Sequence, residues 1–549
     1  MASTPRDTTG DLFVRKATGL VRSWSVFDAF IYATFSINLV TLGLYIFSQM
    51  YYLEGGLLPT LLISSAFILF EVLVYAALIA VMPRSGGDYV WQSRILGGGI
   101  GFVLAVTGWW FILWLWVPLY GDMFRHLFLT PIFGLLGAKD LALWFGQNPL
   151  GLFITCLVVC LFVAFYIAIG MKWYARIQKY CFWLGMVGLA IVFGLLLFGN
   201  PQTFQQGLNQ EMPGLFGTVE NVYAATMAAG QEAGATAPLV GGGLGAILLA
   251  MPFMVFFNLW PNWGTALYGE IRGATDFKRN FSGMAWALVI TTALGVAFFL
   301  LVQKTFTWDF YMNANAAWWN YAWGYTDQVP PLPIWPNPVL LAAMMLPGRL
   351  LKILVVALIS FWWFGWSGTV FLSSTRIIFA AAFDRLLPEK VAEVDEKTHT
   401  PIYALLLMVI PSLIVSALFA WNVFNFQSLT LNSTLVIAVT YLGTTIAAIL
   451  LPYRKPDLYN ASPIAKYKVF GIPLITVAGV IFGVFLVFLL YAWLIDPLQL
   501  YGIGLANTNS IIFLLVMYGL ATGIYAGFKL YRKRSGIDID QVYQEIPVE

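Results

Sequence analysis

Pro83-Arg84-Ser85-Gly86-Gly87-Asp88-Tyr89-Val90-Trp91 stands between two long apolar runs, and its reading decides the fold. Pro83 ends the run before it, and Gly86-Gly87 admits backbone angles that a residue with a Cβ resists. The chain therefore turns back at a membrane boundary. Arg84 and Arg94, flanking the turn, mark that boundary as cytoplasmic.

Composition agrees with a membrane setting. Of 549 residues, 60% are hydrophobic and 10% charged, where a soluble chain carries about one quarter charged residues. The net charge of +3 is spread over loops and gives no nucleic-acid surface. Cys156, Cys160 and Cys181 all fall inside apolar runs, so no extracellular disulfide framework is expected. The polar start has no signal-peptide core, and the first apolar run is expected to remain in the membrane.

A membrane helix needs about 20 apolar residues. Twelve runs meet or approach that length: Val26 to Met50, Leu57 to Met82, Gly99 to Phe128, Leu150 to Gly170, Tyr174 to Phe198, Gly243 to Tyr268, Phe281 to Val302, Leu350 to Phe383, Ile402 to Trp421, Leu429 to Leu451, Ile472 to Ile495 and Ile511 to Tyr531. The even number puts both termini on one side. With the N-terminus inside, only Arg125, Lys139, Lys304, Arg349 and Lys352 of the 29 basic residues fall outside or near outer helix ends. Both termini are thus expected in the cytoplasm of a multi-pass cell-membrane protein. Two long outer loops are expected. The first, Gly199 to Gly242, is rich in Gly, Ala and Gln. The second, Thr307 to Pro338, is crowded with tryptophan, which suits an interfacial belt or a folded lid over an outer vestibule better than a chemical site.

The sixth run contains Asn258-Leu259-Trp260-Pro261-Asn262-Trp263-Gly264. Pro261 removes a backbone donor and the flanking Asn and Gly residues suit irregular backbone, so a break or a proline kink is expected here. Unwound backbone at that depth survives only where it is buried or lines a wet cavity. The first run has a weaker interruption at Ser36-Ile37-Asn38-Leu39-Val40-Thr41-Leu42-Gly43. Two interruptions at corresponding places point to a transporter with its solute site at the midplane. The candidate solute contacts are Ser36, Asn38, Thr41 and Gly43 from the first run and Asn258, Trp260, Asn262 and Gly264 from the sixth. Tyr120 joins them from the third run, where it could wall the site with Trp109, Trp110, Trp114 and Trp116, most of which suit lipid-facing or packing roles.

Glu71 lies near the middle of the second run. A carboxyl there is either a proton carrier or a hydrogen-bonded structural group. Asp28, Glu270 and Asp122 stand near helix ends, where gates or solvated pairs suffice. His126 stands at an outer helix end and His399 in a cytoplasmic loop, so no metal site is expected. No catalytic constellation or nucleotide-binding loop is present, so an enzyme or a nucleotide-driven pump is not expected.

Three cassettes in order resemble the amino acid, polyamine and organocation (APC) permease superfamily. The first is Met82 to Trp91 with Arg94. The second is Ser374-Thr375-Arg376 through Phe383-Asp384-Arg385-Leu386-Leu387-Pro388, followed by Thr400-Pro401 and Ala404-Leu405-Leu406. The third is Tyr467 to Leu474. The resemblance implies an all-α polytopic fold of twelve transmembrane helices, a leucine-transporter-type 5+5 inverted repeat plus two C-terminal helices. It divides the chain into a cytoplasmic segment (1–25), a first repeat (26–198), an extracellular loop (199–242), a second repeat (243–453), two appended helices (454–531) and a cytoplasmic tail (532–549). It also implies helix termini at the two interruptions that receive a carboxylate. The Gly-x-Gly usual in the first helix of the family is replaced here by Leu39-Val40-Thr41, and the glutamate usual before the Pro-Arg turn by Ala77. The expected function is secondary-active transport of amino acids or closely related small organic solutes by alternating access. The alternative is a non-transporting nutrient sensor or scaffold of the same fold. No cofactor is expected beyond a coupling ion, proton or sodium. Glu71 would serve a proton, and Ser367 and Thr369 a sodium ion. The expected partners are the small-molecule solute and the lipid bilayer. Neither the solute nor the oligomeric state is legible.

Overall fold

The computed structural model describes residues 19–496 and 498–544. Most of the segment expected before the first helix (1–25) and the last residues of the expected tail lie outside them. Twelve principal helices follow in order: α1 (Val26–Ser48), α2 (Leu57–Val81), α3 (Gly98–Leu135), α4 (Pro149–Ala168), α5 (Met171–Phe198), α6 (Leu244–Asn258), α7 (Phe277–Phe306), α8 (Arg349–Phe383), α9 (Ile402–Ala420), α10 (Val423–Arg454), α11 (Leu474–Ile495) and α12 (Thr508–Arg534). Eleven are long and apolar enough to cross a membrane. The exception is α6, expected to run on to Tyr268 but ending at Asn258. The chain is an all-α polytopic membrane protein, and its described strands form one small hairpin, Lys468–Val469 with Ile472–Pro473.

Burial separates centre from periphery. In α1, 94% of the most apolar stretch is buried, against 11% in α12. A helix that is apolar all round belongs in the middle of a bundle, and α1 and the second half of α6, from Ala250 to Asn258, occupy it.

The turn that opened the sequence reading forms as expected. Gly86 has φ +100°, and a Cβ there would press on Ala380 of α8. The turn is not a solvated loop, because the short helix that follows it (Gly87–Ile95) is buried along its whole length. Arg94, expected at a wet boundary, is inside the protein and gives two hydrogen bonds to Asp384, at 2.5 and 2.8 Å.

The two expected loops are both structured. Residues 199–242 hold two helices, Pro201–Phe216 and Val222–Glu232. Asn200 and Asn221 cap them, and Pro201 occupies the first turn, where its missing N–H costs nothing. In the second loop Trp308–Ala322 is helical, and Trp308, Trp318, Trp319 and Trp335 are buried. Trp319 and Trp335 both donate to the Ser48 hydroxyl, at 2.9 and 3.3 Å. The burial of these rings fits a folded lid and not an interfacial belt, which would present them outward.

Both described ends of the chain meet the same end of the bundle. Trp24 pairs its backbone with Glu270 and Arg272 beyond α6, while Tyr543 lies over Arg94, 5.4 Å from ring centre to guanidinium carbon.

Candidate functional site

The site grows from the two interruptions. Ser25 caps α1 in a reciprocal capping box with Asp28, and regular helix continues to Ile37. Asn38 then takes a left-handed conformation, φ 44° and ψ 83°, which Asn tolerates better than other residues with a Cβ. Its side-chain oxygen accepts the Thr41 N–H at 3.0 Å, capping the second half of the helix. Thus Asn38 breaks α1 without the expected family glycines, and its own amide occupies one N–H that a solute carboxylate could use.

In α6 regular helix stops at Asn258, and ordered turns resume at Thr265–Glu270. The intervening Leu259 to Gly264 is irregular and buried, a break rather than a kink. The two interruptions face each other. A Cβ on Gly43 would lie 2.9 Å from the Phe257 ring, and one on Gly264 3.1 Å from the Tyr32 ring. These antiparallel contacts bracket Asn38 on one helix and Trp260 to Asn262 on the other.

Polar groups left without partners collect there: Asn38 Nδ2, Thr41 Oγ1, Asn258 Oδ1 and Asn262 Nδ2. A buried donor or acceptor left unpaired costs about 1–3 kcal/mol, so such a cluster marks where something else binds. Asn262 is held from its oxygen side, where the Tyr441 hydroxyl donates at 2.9 Å. Asn258 turns its amide nitrogen to Ser64 and Ser65 of α2, at 2.6 and 3.0 Å. Ser36 is committed elsewhere, its hydroxyl donating to the Tyr32 carbonyl at 2.8 Å.

Aromatic rings close the site. Trp116 stacks on Phe256 at 5.4 Å and meets Trp260 edge-on at 5.3 Å, and Trp109 lies 4.6 Å from Trp263. Trp109 and Trp116 are both buried, so of the roles expected of the α3 tryptophans these two pack inward and do not face lipid. Tyr120 stacks on Trp366 with ring centres 3.6 Å apart, and its hydroxyl pairs with that of Thr369 at 2.9 Å. The Ser367 hydroxyl donates to the Phe364 carbonyl at 3.0 Å. Both sodium candidates thus have protein partners, and the Ser367 oxygen, as a donor, keeps its lone pairs. Glu71 lies outside this cluster, on α2.

The two ends of the site differ. Towards the end opposite the termini, a cavity of about 550 Å³ reaches from Trp318 and Trp319 past Tyr45 and Asp122 to Phe256. Towards the termini the path is sealed by buried polar contacts. Tyr32 pairs with Ser373 at 3.0 Å, Ser373 donates to the Trp263 carbonyl at 2.6 Å, and Arg376 holds Glu270 at 2.8 and 3.0 Å. Sequence reasoning missed Trp263, Trp366, Tyr441 and the Glu270–Arg376 pair. A signal for Glu270 and Arg376 was present, since Glu270 stands just past the sixth apolar run and Arg376 inside the eighth, and each calls for a partner.

A family model described as amino acid permease matches residues 25–521. The chain belongs to the amino acid permease family. It is thereby a member of the APC superfamily that the three cassettes resemble. No curated protein matches this permease. Family membership makes it a multi-pass membrane transporter of small molecules.

Proposed function

We propose that this permease moves amino acids or closely related small organic solutes across the cell membrane by alternating access, as a secondary-active carrier. One observation carries the reading: two broken helices, bracketed by the Gly43–Phe257 and Gly264–Tyr32 contacts, leave unpartnered side-chain donors between them. The unequal closure supports it, with a vestibule above and buried ion pairs below. A five-plus-five arrangement, α1–α5 and α6–α10, fits the breaks in the first helix of each half. The abundance of lysine and arginine at the termini end favours the cytoplasm for that side.

The purified permease should be warmed with single amino acids and amines, with and without sodium, since a ligand stabilises the state that binds it. A stabilising solute should then accumulate in proteoliposomes. Asn262→Leu should weaken its binding by about 1–3 kcal/mol, the cost of an unmade hydrogen bond. Stabilisation without uptake would favour the sensor reading, and unchanged affinity in Asn262→Leu would remove that amide from the site.

A further inference from the structure

Glu71 is wholly buried in α2, and neither of its carboxyl oxygens has a hydrogen-bond partner. An ionised, unpaired carboxylate there would forfeit its hydration with nothing in return. The charged group that acts on it is a second carboxyl, Asp88. Asp88 is also fully buried, in the short helix after the Pro83 turn, with the Trp109 indole N–H beside it. Its Oδ1 accepts from Tyr75 at 2.7 Å and from Thr444 at 2.5 Å. Tyr75 stands one turn beyond Glu71 on the same face of α2.

The buried cations nearest this pair among the described residues are held elsewhere: Arg94, on the same short helix as Asp88, holds Asp384, and Arg376 of α8 holds Glu270. Tyr441 of α10 and Tyr75 of α2 are the titratable neighbours that act on both carboxyls. Of the other helices against α2, α6 and α11 carry no charged side chain, while Lys278, Arg279 and Lys304 stand at the two ends of α7. Glu270, on the turn beyond α6, is already held by Arg376, and Lys466 is exposed. Two carboxyls in one buried site, with the nearest cations held elsewhere, are a means of holding a proton.

The same residues reach the solute site. The Tyr75 ring meets the Tyr441 ring edge-on at 5.5 Å, and the Tyr441 hydroxyl donates to Asn262 in the α6 break. Gln92, one turn beyond Asp88, donates to Thr444 at 2.7 Å and to the Thr440 carbonyl at 2.8 Å, fixing the pair against α10.

We propose that Glu71 and Asp88 form the proton-binding site of this permease, and that Tyr441 conveys its state of charge to the broken segment of α6. The inference deepens the transport reading and rests on it for the word coupling. One proton is exchanged: an O–H bond forms on a carboxyl oxygen with a proton taken from water, and the same bond breaks on release. The charge of the pair changes by one and nothing else is consumed. When the pair gains charge, Tyr75 and Thr444 are drawn more strongly to Asp88, and Tyr441, packed between Tyr75 and Asn262, moves with them.

The test needs no solute and so can fail independently of the transport reading. Infrared difference spectra of the purified full-length permease, recorded as pH is raised, should show loss of a protonated-carboxyl band. That band should be absent from Glu71→Gln and altered in Asp88→Asn, with melting temperatures showing that both variants fold. A cysteine at Thr265, beneath the break, reads the coupling. Its alkylation rate should change roughly fivefold or more across the same pH range, the low end of typical site-to-site coupling. The rate should be independent of pH in Glu71→Gln. Tyr441→Phe should keep the titrating band while the rate no longer follows it, an outcome that a merely structural tyrosine would not give. A band that survives in both carboxyl variants, or a Glu71 band that does not respond to pH, would overturn the proton site. Alkylation in Tyr441→Phe that still follows pH would overturn the route through Asn262.

Discussion

Arg376 clamps Glu270 through two parallel hydrogen bonds, and both side chains are essentially excluded from solvent. The pair joins α8 to the turn beyond α6 and lies between the broken segment and the termini end. Removing one partner from a buried ion pair costs about 3–5 kcal/mol, whereas replacing both with apolar groups costs far less. Arg376→Leu should therefore weaken the closed end by about that amount, while Arg376→Leu combined with Glu270→Leu should recover much of it. Alkylation of a cysteine at Thr265, with Cys156, Cys160 and Cys181 replaced by alanine, would report the opening. Equal rates in the single variant and its parent would show that this pair does not hold the gate.

Tyr543 closes the same end from the other side. Its ring packs so tightly on Gly98 that a Cβ there would collide with it, and it covers the Arg94 guanidinium, which in turn holds Asp384. The ring contributes apolar burial and a cation–π contact, together about 1–3 kcal/mol. Tyr543→Ala should release the segment after α12, and trypsin should then cleave faster within Lys529 to Arg534. Gly98→Ala should do the same from the partner side. Cleavage as slow as in the parent would mean that the segment is held by Ile539 and the Lys529–Asp540 pair without the ring.

The helices were legible because membrane helices must satisfy their backbone internally and are therefore long, apolar and separated by polar turns. The α6 break was legible for a local reason, Pro261 between two asparagines. The face of each helix was not. In α3 every residue from Gly108 to Val117 is apolar or small, so periodicity could not show that Trp109 and Trp116 turn inward. Partners far apart in the chain were also hidden, as with Arg94 and Asp384, 290 residues apart. The helices within 199–242 were signalled by Asn200-Pro201 and Asn221, caps overlooked in a stretch that composition marked as a loop.

Gly108 of α3 packs directly against α10. A Cβ at this position would collide with the Thr440 side chain, whose hydroxyl donates to the Leu104 carbonyl at 2.6 Å. Overpacking a tight interface costs about 1–3 kcal/mol. Gly108→Ala should lower the melting temperature accordingly. Thr440→Ala in the same chain should recover part of the loss, because residues in contact are not additive. A double variant no more stable than the sum of the single changes would show that the collision is relieved elsewhere.

Orientation is the last test. Tyr325, at the end of the lid, is 75% exposed, and Arg534, at the end of α12, is also exposed. They lie at opposite ends of the bundle, since the lid packs over Ser48 while the segment after α12 covers Arg94. Lysine and arginine crowd the loops at the Arg534 end, and short loops rich in these residues stay in the cytoplasm. In intact cells, a membrane-impermeant thiol reagent should therefore label Tyr325→Cys and spare Arg534→Cys. After the membrane is opened it should label both. Labelling of Arg534→Cys alone in intact cells would invert the topology and, with it, make the 550 Å³ vestibule an entrance from the cytoplasm.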